Sequence, residues 1–171
     1  MAKLVLLRPG GEEEGGVSIQ VAREVACMST LIKDMLEDDD PESTPEIPLP
    51  NVHRRELTVV LEFCHKHCND PMLKIPRPLP SSDLSHVVSE WDVEFCTRNS
   101  TTNQDLFDLI LAANYLDIPD LLMLGCAKLT TMIKDKTPEE IKQLFATPDQ
   151  VYAADDEERI RKENPWIFDL T

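Results

Sequence analysis

The segment "NQDLFDLILAANYLDI", Asn103 to Ile118, constrains the fold more than any other stretch of the chain. Its apolar residues Leu106, Phe107, Leu109, Ile110, Leu111 and Leu116 fall on several sides of a helix. A helix that is apolar nearly all round has to be covered by other elements, so this one belongs at the centre. Pro119 follows at once. Proline disfavours α geometry in the residue before it and suits the first position of a new helix. A second helix through Leu121, Leu122, Leu124, Leu129 and Met132 is therefore expected to leave at an angle and pack against the first.

Upstream, the chain reads as a small sheet with helices. "KLVLL" is a strand candidate, a Gly-rich acidic turn through Gly10, Gly11, Gly15 and Gly16 follows, and "VSIQV" places Val17, Ile19 and Val21 on one face. Alternation of period two marks a half-buried strand, and the two runs predict a hairpin. Leu31, Ile32, Met35 and Leu36 recur at helical spacing, with Ser29 or Thr30 able to cap them, in a short helix ending near Glu37. Residues 37–46, "EDDDPESTPE", are acidic and poor in apolar side chains, which predicts a solvated loop. "IPLP" reads as a brief edge strand, because proline offers no amide to a ladder. Leu57, Val60, Leu61, Cys64 and Cys68 then form one helical stripe. Residues 69–90 carry Pro71, Pro76, Pro78 and Pro80, which exclude helix or central strand and predict a mobile loop.

Downstream the signals are local and sharp. "TPEEIKQLF" puts Thr137 at a cap, Pro138 at the first helical position and Glu140 within reach of the cap amide; Ile141, Leu144 and Phe145 form the apolar face. "DDEERIRKEN" repeats the logic, with Asp155 as cap, Glu158 three residues later, and Arg159, Arg161 and Lys162 suited to the negative helix end. The chain then reads "ENPWIFDL", where Trp166, Ile167, Phe168 and Leu170 cluster with few later residues to cover them. Such a tail is expected to be loosely held until another protein covers it.

The chemistry of the chain points to binding rather than catalysis. No Gly-rich phosphate loop, Gly-x-Ser-x-Gly elbow or His-Glu-x-x-His pattern occurs. A formal charge of -15 repels phosphate backbones and anionic lipid, so nucleic acid and membranes are poor partners. Only Leu4 to Leu7 is continuously apolar near the start, too short for a signal-peptide core, and a cytoplasmic and nuclear location is expected. The five cysteines are expected to be reduced thiols. "CHKHC", Cys64 to Cys68, has the atoms of a zinc site, but its cysteines continue an apolar stripe and no second ligand pair accompanies them. Buried thiols beside solvated histidines, with no metal and no cofactor, is the expectation. Asn114 and Tyr115 interrupt an otherwise apolar helix. Either their polar groups meet partners inside the fold, or they emerge at its rim and touch another protein.

"LFDLILAANYLDIPDLL", "MIKDKTPEEIKQLF" and "EERIRKENPW", preceded in order by "TLIKDMLED", "IPLPNV" and "WDVEF", resemble the S-phase kinase-associated protein 1 family, adaptors of SCF-type ubiquitin ligases. The resemblance spans nearly the whole chain and is weak between Asn69 and Glu90. It implies an α+β, BTB/POZ fold over residues 1–133, a small sheet packed with helices, and a two-helix F-box-binding extension over residues 134–171. It also implies a non-catalytic role, in which one face docks a cullin and another an F-box substrate receptor, with a RING-box subunit reached through the cullin. By the resemblance, Asn114 and Tyr115 match the cullin side. Phe107, Ile110, Leu111, Ile133, Ile141, Leu144, Phe145, Ile160 and Trp166 match the F-box side.

Pro165, "FATPDQVYAADDEE" and "LGCAKLTTM" depart from the family pattern on the receptor side. Two other readings stay open: a diverged BTB-type scaffold that keeps one of the two contacts, and a metal-binding module built on "CHKHC".

Overall fold

Alternation decides the sheet. In β1 (Leu4–Gly10) Val5 and Leu7 are fully buried while Arg8 is exposed, as period-two strands with one covered face require. β1 is central. It pairs antiparallel with β2 (Ile19–Ala22), Val5 opposite Val21, and parallel with β3 (Glu46–His53), Leu7 opposite Ile47. The expected hairpin therefore forms, although Val17 lies before β2 and is 74% exposed rather than on its inner face. "IPLP" is the start of a longer edge strand that buries Ile47, Leu49 and Val52. The computed structural model describes residues 3–11, 17–37, 43–145 and 154–164, with only the backbone of residues 154–157. The middle of the acidic loop and Trp166 with the rest of the tail lie outside them.

The chain divides into two units, Met1–Lys134 and Asp135–Thr171. In the first, α1 (Arg23–Ala26) and α2 (Thr30–Met35) lead from β2 toward β3. Ser29 is the cap of α2: its hydroxyl accepts from the Ile32 amide at 3.1 Å and donates to the carbonyl of Leu116. α3 (Arg54–His67) buries Leu57, Val60, Leu61, Phe63, Cys64 and His67. α4 (Glu90–Asn99), which the sequence reading did not place, is capped by Ser89 and buries Asp92, Phe95 and Cys96. α5 (Asn103–Tyr115) and α6 (Pro119–Ile133) follow, with Pro119 in the first turn of α6 as expected.

Two expectations fail for physical reasons. Residues 69–89 do not run free over the surface. Leu84, Val87 and Val88 are buried around a short 3₁₀ turn (Leu84–His86), and Met72, Ile75 and Leu79 pack partly on the core. Proline excludes regular ladders but not apolar anchoring, and apolar burial is what holds this segment. Nor is α5 covered on all sides. Leu106, Leu109, Ala112 and Ala113 are buried, yet Leu111 is 64% exposed.

In the second unit, α7 (Pro138–Phe145) starts as the sequence dictates: Thr137 N donates to Glu140 Oε2 at 2.8 Å, and Glu140 N donates to Thr137 Oγ1 at 3.3 Å. α8 (Ala154–Glu163) begins earlier than expected, so Asp155 lies inside its first turn rather than at its cap. Lys162 pairs with Glu158 one turn back at 2.9 Å. Among the described residues of this unit no side chain is buried.

Candidate functional site

α5 carries two apolar stripes with different fates. Leu106, Leu109, Ala113 and Leu116 recur at steps of three and four and face the core. Phe107, Ile110, Leu111 and Asn114 recur at the same steps, displaced round the helix by one residue; Phe107 and Ile110 are half-buried, Leu111 and Asn114 exposed. Tyr115 adjoins them, half-buried against the core. Among the described residues, neither the Asn114 nor the Tyr115 side chain has a hydrogen-bond partner. Of the two readings the sequence left open, the structure supports emergence at the rim.

Both ends of α5 are fixed. At its start Thr102 and Asp105 form a reciprocal capping box, with Asp105 N donating to Thr102 Oγ1 at 3.1 Å and Thr102 N donating to Asp105 Oδ2 at 3.0 Å. Hydrogen bonds from the Thr101 hydroxyl and from Thr102, helped by Arg55 at 2.5 Å, hold the Asp105 carboxyl well below the usual carboxylate range. At its end Asp117 takes the left-handed conformation, φ 51°. Its amide donates to Asn114 O at 3.2 Å and the next, from Ile118, to Ala113 O at 2.9 Å. This is a Schellman ending with aspartate where glycine is commoner. The Thr30 amide reaches Asp117 O at 3.1 Å, and Ser29 reaches Leu116 O, so α2 clamps the turn that presents Asn114 and Tyr115.

Gly125 sets the approach of α6. A Cβ at that position would stand 2.7 Å from Cγ1 of Ile110, closer than carbon atoms allow. The glycine lets Ile110 lie flat between the helices, half-buried. Ile133 is half-buried on the last turn of α6. In the second unit Ile141, Leu144 and Phe145 are half-buried on one side of α7, and Ile160 on α8 is 44% exposed. Each unit thus presents its own share of the expected receptor residues; Trp166 is not among the described residues. An isolated glycine inside a helical pattern usually has a packing reason, and that was the signal for Gly125.

"CHKHC" does not assemble a site. Burial, with Cys68 adjacent, pushes the Cys64 thiol up to about 12, and Cys64 sits 2% exposed within the core stripe of α3. His65 is exposed. His67 is buried, which corrects the expectation of solvated histidines. Its Nε2 lies 2.9 Å from Asp92 Oδ1 and its Nδ1 2.7 Å from the Asp70 carbonyl, so both nitrogens are occupied. The Ser89 hydroxyl completes the buried Asp92 at 2.7 Å, and Phe63, Trp91 and Phe95 enclose the pair. Among the described residues no group of three or more His, Cys, Asp or Glu is placed to hold a metal, and no helix is long and apolar enough to cross a membrane.

Comparison with known proteins agrees with this architecture. Residues 15–69 match the model of the Skp1 family tetramerisation domain, the POZ part, and residues 119–167 that of the Skp1 family dimerisation domain. An S-phase kinase-associated protein 1 homolog of Tetrahymena thermophila is 45% identical, across 90% of this chain and 89% of its own. The chain belongs to the Skp1 family. The E3 ubiquitin ligase complex SCF subunit sconC of Aspergillus flavus is 42% identical across 90% of this chain and 92% of its own. The SCF ubiquitin ligase complex protein SKP1a of Dictyostelium discoideum is 41% identical across 88% and 89%. In Skp1 terms, β2 to α3 lie in the POZ match and α6 to α8 in the dimerisation match, with α5 between them. The α+β, BTB/POZ-type fold with C-terminal helices is the one the sequence resemblance implied.

Proposed function

We propose that this chain is the non-catalytic adaptor subunit of an SCF-type E3 ubiquitin ligase, bridging a cullin to F-box substrate receptors so that bound substrates are ubiquitinated and degraded. The observation that carries the reading is the outward stripe of α5, with Leu111 64% exposed and Asn114 unpartnered one turn later. A monomeric soluble fold gains nothing from an exposed leucine next to aromatic and aliphatic neighbours, whereas an interface does. Similarity to relatives named as SCF complex subunits supports reading that interface as one with SCF partners.

Asn114 and Tyr115 are assigned to the cullin. Phe107, Ile110, Leu111, Ile133, Ile141, Leu144, Phe145, Ile160 and Trp166 are assigned to the F-box. The RING-box subunit is reached through the cullin, and the place of action is the cytoplasm and nucleus. The adaptor performs no bond chemistry. Holding substrate beside the charged conjugating enzyme turns a bimolecular encounter into an intramolecular one, and effective concentration is its contribution.

The two contacts separate by mutation. Asn114→Lys, alone and with Tyr115→Lys, places charge in a close contact at a cost of about 2 to 5 kcal/mol. Cullin capture is expected to fail for both variants while receptor binding persists. The single variant matters because Tyr115 also packs on the core. Loss of both partners in the single variant, at an unchanged melting temperature, would refute the assignment of Asn114 to the cullin alone.

A further inference from the structure

Residues 75–79 do not lie flat on α6. Between them is a groove of about 400 Å³ lined by Ile75, Arg77 and Leu79 on one wall and by Leu122, Met123, Cys126 and Thr130 on the other. The wall is built to stand off. Pro76, Pro78 and Pro80 lack amide donors and fix φ, which stops the segment from folding down into a ladder or a helix. Arg77 Nη2 donates to Met123 Sδ at 3.0 Å across the groove, and outside its lining Lys134 Nζ donates to Leu79 O at 3.1 Å, tying the segment to the end of α6. The remaining floor is apolar.

We propose that this groove is a second contact for the F-box receptor, taking an apolar segment of it that carries acidic side chains. The inference rests on the adaptor reading above and extends it. Two observations choose the occupant. The first is charge: in a chain of net charge -15, among the described residues no Asp or Glu lines the groove and Arg77 is the one charged residue in its lining, with the exposed Lys74 preceding it. An acidic segment is drawn to that spot, and arginine is favoured at interface centres for its planar, multiply donating head. The second is continuity: Leu122, Cys126 and Ile133 are spaced i, i+4 and i+11 on α6, so the groove opens on the side of the helix that carries the receptor residue Ile133. From Leu122 to Thr130 the helix rises about 12 Å, the span of about four extended residues. A preformed wall also reduces the entropy lost on binding.

The test uses the full chain and a purified F-box receptor, identified by its recovery with this chain from cells. Titration measures the receptor Kd for the wild type, Arg77→Glu, Thr130→Trp and Leu111→Asp, and sedimentation gives the oligomeric state of each free protein. Arg77→Glu reverses the groove's charge and Thr130→Trp fills it; both sites are at or near the surface, so unchanged melting temperatures are expected. Each groove variant is expected to weaken receptor binding about tenfold, with a weaker salt dependence in Arg77→Glu, while Leu111→Asp abolishes it. Wild-type affinity in both groove variants, with Leu111→Asp still inactive, would overturn the groove proposal and leave the adaptor reading intact. Full affinity in Leu111→Asp would count against that reading instead. A dimer of the free chain that both groove variants dissociate would assign the groove to a second copy and overturn the proposal.

Discussion

In the first unit Phe63, Phe95, Leu7 and Leu124 are almost wholly buried, whereas in the second, among the described residues, Ile141, Leu144 and Phe145 are half-buried and Ile160 is 44% exposed. Both units draw on the same residue types. The first closes them around a sheet and α5. The second spreads them along helices of eight and ten residues, lengths at which an isolated helix is marginal in water. α5 repeats the contrast within a single helix, with Leu109 3% exposed on one stripe and Leu111 64% on the other. Apolar residues that complete a core give stability, and those left beside it stay open to a partner.

That contrast can be broken most strongly with alkali. Burial pushes the thiols of Cys64 and Cys96 up to about 12, from an ordinary 9.0. A folded value above the unfolded one means that their contribution is fully present below pH 9.0 and is lost as pH rises toward 12. All five cysteines belong to the first unit, so only that unit carries this sensitivity. Chemical denaturation between pH 8 and 11 is expected to show the first unit weakening, with the slope reduced in Cys64→Ala and Cys96→Ala. An equal slope in those variants would mean that the thiols titrate freely.

Replacing neighbours on α5 sharpens it. Leu109→Ala should cost about 2 to 5 kcal/mol, the transfer term plus the cavity. Leu111→Ala should change stability by no more than about 0.5 kcal/mol and weaken receptor binding about tenfold or more. Urea midpoints and receptor titration on the two variants separate the stripes; comparable destabilisation by both would erase the distinction. The smallest effect is expected in the second unit. Thr137→Ala removes the hydroxyl end of the α7 capping box and should cost about 1 kcal/mol, read as faster hydrogen exchange in α7 with α5 and α6 unchanged. The Glu140 carboxyl, held below its usual range by the Thr137 amide, makes the same helix end weaken as pH falls through the carboxylate range.

Local rules carried the sequence reading where one or two residues suffice. Ser29, Pro119 and the Thr137–Glu140 box act within a single turn and stand where they were expected. Asp155 is the second residue of α8 rather than its cap, an offset of the size by which helix ends ordinarily differ, and an acidic side chain there still suits the positive end of the helix. α4 was not placed, because its cue is a buried aspartate that reads as solvated until His67 of α3 meets it. In the Pro-rich segment, proline content reports missing ladders and is silent about Leu84, Val87 and Val88, whose burial holds it down.

The sequence by itself determined the hairpin, the apolar character of α5, the break at Pro119 and the family to which the chain belongs. Those follow from periodicity, capping and residue order, which are properties of neighbours along the chain. Tertiary structure alone decided that the α5 stripe through Leu109 is covered while Leu111 beside it stays open, that Gly125 admits Ile110, and that His67 is buried against Asp92. Helical spacing defines stripes but does not say which of them another element will cover; that depends on residues far away in sequence, and a hydrophobic pattern carries no address for its partner.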